Sequence, residues 1–85
     1  MPTLFVLDVP EFAALVAYSR TQSGYRVTGP ELGYHRISAS GRLRFERKAL
    51  GFKPPVWHGA LTGGLVGRIE RFDNEVLEIV ERTDA

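Results

Sequence analysis

The chain contains no cysteine, and only one tryptophan, one methionine and two histidines among 85 residues. Without cysteine there is no disulfide framework, thiolate zinc site or cysteine nucleophile, so stability must come from packing or association. A cytoplasmic location is the matching expectation. Long hydrophobic runs are also missing. The first apolar run stops at Asp8 and the next spans Phe12 to Tyr18, whereas a membrane-spanning helix needs about 20 apolar residues. No basic region precedes the first run, so neither a signal segment nor a membrane partner is expected. His35 and His58 fall in no metal-ligand spacing, and no serine stands in a Gly-x-Ser-x-Gly setting. No catalytic residue, metal or cofactor is therefore assigned.

What the chain does have is charge of both signs, unevenly placed. From Arg36 to Arg68 there are seven basic residues and one acid, Glu46; from Ile69 onward there are six acids and two arginines. The net charge of +1 conceals two zones of opposite sign. Such a chain attracts anions at one zone, or a second copy zone to zone. The length corresponds to one α+β domain over residues 1–85, which buries only roughly 60 to 65% of its unfolded surface.

Thr3 to Leu7 reads as a strand. Asp8, Pro10 and Glu11 then form a helix start, with Asp8 as cap and Glu11 at capping-box spacing, for a helix running to about Thr21. Phe12, Leu15, Val16 and Ser19 recur on one face, with Ala13, Ala14 and Ala17 as slim flanks against a sheet. Tyr25 to Thr28 and Tyr34 to Ala39 read as a hairpin around a Gly29–Gly33 loop. Arg42 to Ala49 reads as a third strand, with Arg42, Arg44, Glu46 and Lys48 outward and Arg47 a misfit on the inner face. Leu50 to Pro55 breaks the pattern, and Val56 to Leu61 resumes it as an edge strand. In the last hairpin a three-residue turn at Asp73–Glu75 pairs Ile69 with Ile79 and Arg71 with Leu77. Phe72, Val76 and Val80 then share a more exposed face with Glu70 and Glu78. The expected architecture is one N-terminal helix on a bent, mainly antiparallel sheet of about five to seven short strands, a partly open barrel being one form it can take.

Candidate binding residues gather at Phe52-Lys53-Pro54-Pro55-Val56-Trp57-His58, where stiff prolines set aromatic surfaces beside charge, and on the basic strand at Arg44 and Lys48. The glycines from Gly59 to Gly67 lack the Gly-Lys-Ser/Thr ending of a phosphate loop and are read as turns. Glu70 facing Glu78 is read as a solvated charge lattice, not an acid–base pair.

The stretch Gly67-Arg68-Ile69-Glu70-Arg71-Phe72-Asp73-Asn74-Glu75-Val76-Leu77 is similar to the first signature of Sm-like RNA-binding proteins, which an N-terminal helix also precedes. The resemblance covers these residues alone. Leu77 stands where that family has the Asn of its base pocket, and no second signature follows, so membership is not assigned.

The leading reading is a non-enzymatic binding and assembly module. It self-associates, most simply as a dimer, through Phe72, Val76 and Val80. It offers Arg44, Lys48, Phe52, Lys53, Trp57 and His58 to an anionic or aromatic partner. One alternative is a single-stranded nucleic-acid (RNA) binder, with Arg36, Arg42, Arg44, Lys48 and Lys53 on phosphates and Trp57, Phe52 or Tyr34 stacking a base. The pI of 8.2 lies below the value of about 9 common in such domains. A second alternative is a small enzyme or accessory subunit with a pocket at Trp57 and His58.

Overall fold

The computed structural model describes residues 1–82. Strand β1 (Thr3–Leu7) is followed by a 3-10 turn (Pro10–Phe12) and helix α1 (Ala13–Thr21). Next come β2 (Tyr25–Glu31), β3 (Tyr34–Ala39) and β4 (Arg42–Glu46), then the short helices α2 (Arg47–Leu50) and α3 (Pro54–His58). The described part closes with β5 (Leu65–Val66), β6 (Arg68–Phe72) and β7 (Val76–Val80). The described residues form an α+β fold with seven short strands, all paired antiparallel, as the alternation of apolar residues implies.

The strands form two sheets, one ordered β2-β3-β1-β5 and one ordered β4-β7-β6, and they do not close into a barrel. Gly67 links them: β5 ends in one sheet and β6 begins in the other one residue later. Its φ of 128° and the approach of the Val80 carbonyl, 2.6 Å from where a Cβ would lie, admit only glycine. Leu4, Val6 and Ile37 from the first sheet meet Leu43, Phe45, Leu77 and Ile79 from the second, with Leu15 and Val16 of α1 in the same buried cluster. Ser19 enters this core because its hydroxyl donates to the Leu15 carbonyl at 2.8 Å.

Several expectations are corrected. Asp8 does not cap the helix. The amide of Val9 bonds the Leu7 carbonyl and that of Phe12 bonds the Val9 carbonyl, so Val9 becomes the cap and Pro10 opens a 3-10 turn. The Asp8 carboxylate turns to His35 instead. Ala13, Ala14 and Ala17 face outward and do not flank the sheet. The Gly29–Gly33 loop shrinks to a two-residue turn at Leu32-Gly33, both at positive φ, because β2 continues through a bulge to Glu31.

The basic strand ends at Glu46, not Ala49. That resolves the Arg47 misfit: no inner-face position exists for it, and its guanidinium donates to the carbonyls of Asn74 at 2.6 Å and Phe52 at 3.0 Å. The edge strand expected at Val56–Leu61 is absent, since Pro54 and Pro55 occupy a helical first turn, where a missing N–H costs nothing. In the last hairpin Ile69 pairs with Ile79 as expected, but a bulge between Ile69 and Arg71 sets Arg71 opposite Glu78 and Phe72 opposite Leu77. Phe72 therefore moves to the inner side. Among the described residues no helix is long and apolar enough to cross a membrane.

Candidate functional site

The residues singled out from sequence are dispersed or engaged. Trp57 is only 1% exposed, its Nε1 donates to the Asp73 carbonyl at 2.6 Å, and its ring lies 5.8 Å from that of Phe72. It plugs the core, and no ligand can stack on it. Phe52 is buried edge-on against Phe12. His58 is exposed, but its Nε2 donates to Asn74 Oδ1 at 2.9 Å and its ring packs on Phe72. The segment is thus a structural clasp on the hairpin tip, because a short helix directs Trp57 inward where a strand would have held it on a rim. Lys53 stands exposed just before α3.

The basic strand is neutralised by the acidic zone. Arg42 pairs with Glu78 and, at 3.3 Å, with Glu70; Arg44 pairs with Glu46 at 3.2 Å and lies 4.0 Å from Glu78. The two zones of opposite sign meet within one molecule, across β4 and β7. Lys48 borders a hollow that it shares with Glu46 and Glu75. The Phe72/Val76/Val80 face does not form either: Val76 is buried, Phe72 leans on the core and Val80 is half-buried.

The hairpin tip is held by Asp73. Its carboxylate accepts Arg71 Nε at 2.7 Å and the backbone N–H groups of Val76 at 2.9 Å and Glu75 at 2.8 Å. These contacts, Arg71 foremost, pull its pKa down to about 2.

A different surface carries free charge beside aromatic rings. On β3, His35, Ile37 and Ala39 turn into the core, so Tyr34, Arg36 and Ser38 point to the other side. Arg36 lies opposite Phe5 of β1 and Thr28 of β2, and Ser38 opposite Thr3 and Arg26. Helix α1 packs on the inner side, leaving Arg26, Thr28, Tyr34, Arg36 and Val66 exposed. Arg36 sits over the Phe5 ring at 5.8 Å, and neither Arg36 nor Arg26 has an ion pair among the described residues. Two hollows, of about 320 and 370 Å³, lie on this face and share Thr28 and Arg36. Arg36 and Tyr34 are among the nucleic-acid contacts expected from sequence, and strand pairing groups Arg36 with Phe5, Thr28 and Arg26. The period-two alternation from Tyr34 to Ala39 was the signal that Tyr34 and Arg36 share a face.

At one end of the inner side, His35, 8% exposed, donates from Nε2 to Asp8 Oδ1 at 3.1 Å, while its buried Nδ1 has no hydrogen-bond partner. Among the described residues no three His, Cys, Asp or Glu side chains converge as a metal site requires. The chain matches no protein-family model and no curated protein.

Proposed function

We propose that this chain is a non-enzymatic binding module whose ligand surface is the open face of the four-stranded sheet, and whose ligand carries both negative charge and a flat ring. The observation that carries the reading is Arg36. It is a guanidinium without an ion pair, held over Phe5 and two residues from exposed Tyr34, while the arginines of β4 already have carboxylate partners. A cation without an ion pair keeps an attraction for an external anion, reduced by Glu31 in the same hollow, and neighbouring rings add stacking at low entropic cost.

Titration of isotopically labelled protein with small aromatic carboxylates and phosphates, followed by amide NMR, tests it. Shifts are expected at Arg26, Thr28, Tyr34 and Arg36, and Arg36→Gln should remove them. Shifts confined to β4, α2 or α3 would refute it. Self-association through Phe72, Val76 and Val80 is not carried forward, because Val76 is buried, Phe72 turns to the core and Val80 is half-buried, so the three do not share one open apolar face.

A further inference from the structure

We infer that the ligand of this sheet face is single-stranded nucleic acid, with a base against Tyr34 and Phe5 and neighbouring phosphates on Arg36 and Arg26. This rests on the reading of the face as the ligand surface. Of the two hollows that meet at Arg36, one is walled by Phe5, Tyr34 and Leu32 with Glu31 also lining it, the other by Arg26, Ser38 and Thr3. The first offers aromatic and apolar surface together with one carboxylate, that of Glu31. The second offers hydroxyls and guanidinium groups. A stacking platform beside an anion cradle is the combination that a nucleotide's base and phosphate need.

Arg26 lies opposite Ser38, so it is diagonal to Arg36 across the β2–β3 pair. Diagonal neighbours stand about 7–8 Å apart, near enough for two guanidinium groups to engage one strand at adjacent phosphates. Two guanidinium groups against the single carboxylate of Glu31 leave these hollows net positive, which favours a polyanion. The openness of the face selects a strand over a free nucleotide, since small-molecule sites enclose roughly 70–90% of their ligand and this face covers one side only. Affinity then has to accumulate as the ligand continues across the sheet. A double helix hides its base faces and leaves Tyr34 and Phe5 unused.

Fluorescence anisotropy with a labelled oligothymidylate of about 12 nucleotides tests the inference. Saturable binding is expected, with log K falling against log salt at a slope of about −1.4 for two phosphate contacts. Arg36→Gln should bring the slope to about −0.7, and Tyr34→Ala should weaken binding about fivefold or more. Arg44→Gln should change neither, because Glu46 and Glu78 already neutralise Arg44. Circular dichroism checks that each variant is folded; if Tyr34→Ala is not, the slope of Arg36→Gln decides. Absence of binding at low salt, equal losses in Arg36→Gln and Arg44→Gln, or tighter binding of a nucleoside monophosphate or an acidic peptide than of the oligomer overturns the inference. Amide NMR separates it from the reading beneath it. If the oligomer fails while a small aromatic phosphate still shifts Tyr34 and Arg36, the face stands and the nucleic acid does not. Oligomer-induced shifts confined to β4 remove both.

Discussion

The hydroxyl of Tyr25 accepts the Arg44 amide at 2.8 Å and donates to the Arg44 carbonyl at 3.2 Å. One side chain from β2 thus occupies both backbone groups of a residue in β4, the strand at the free edge of the other sheet. It closes by a single phenol the seam that a closed barrel would close by a strand ladder. The Tyr25 ring also packs edge-on against Phe45, at 6.0 Å between centroids.

Tyr25→Phe keeps the ring and removes the bridge, so it should cost about 0.5–1.5 kcal/mol in chemical denaturation. Burial pushes the Tyr25 hydroxyl above its ordinary 10.0, which favours the neutral form in the folded state. The stabilisation is whole below pH 10 and is lost as pH rises through the raised value. Wild type should therefore show an alkaline loss of stability that Tyr25→Phe lacks; identical alkaline limbs would contradict this.

Trp57 should emit as a buried indole and resist iodide quenching. Trp57→Ala should destabilise the domain by about 3–5 kcal/mol, through the lost ring and the unpaired Asp73 carbonyl. A readily quenched tryptophan with an unchanged melting temperature in the variant would contradict the plug.

Asp73 governs the acid side. Because its pKa in the folded state lies at about 2 against an ordinary 3.8, its contribution is present above pH 3.8 and is lost as pH falls towards 2. Asp73→Asn keeps an oxygen for the Glu75 and Val76 amides but loses the charge facing Arg71. The variant should melt lower at neutral pH and converge on wild type near pH 2, as scanning calorimetry across that range would show.

Gly67→Ala places a methyl against the Val80 carbonyl at a φ that L-residues rarely adopt. The expected loss exceeds about 1 kcal/mol, more than a glycine-to-alanine exchange at a compatible position changes in either direction. Gly24→Ala, also at positive φ but in open space, should cost less. Equal melting temperatures for the two variants would refute the close-approach argument.

The fold class and the strands at Thr3–Leu7 and Tyr34–Ala39 were legible because alternation is a local property: Leu43 and Phe45, or His35, Ile37 and Ala39, declare a face within a few residues. The end of helix α1 near Thr21 was legible for the same reason. What escaped was set by distant partners. Arg42 and Arg44 read as free cations until Glu70 and Glu78, far along the chain, are brought opposite them. Pro54-Pro55 read as a breaker of strands, yet a proline pair equally begins a helix, and only the inward turn of Trp57 decides between the two. The bulge near Glu70 inverted Phe72, as one extra residue does for every position beyond it.

Arg47 and Trp57 have a further consequence for the tip of the last hairpin. Trp57 Nε1 holds the Asp73 carbonyl, Arg47 holds that of Asn74 by its guanidinium and that of Glu75 by its own amide, and His58 holds the Asn74 side chain. A surface turn is ordinarily the place where a protein accepts added residues. This one is a measured gap: lengthening it would draw the indole and the guanidinium away from their acceptors and open the core from outside. The Leu32-Gly33 turn is held more lightly, by the Gly33 carbonyl accepting the Asp8 amide at 2.9 Å, and its Leu32 is 93% exposed. The two hairpins of this small domain thus differ in how freely their lengths can vary, and a sequence drifting under selection for stability would keep the spacing from Phe72 to Val76 fixed while the other turn changed.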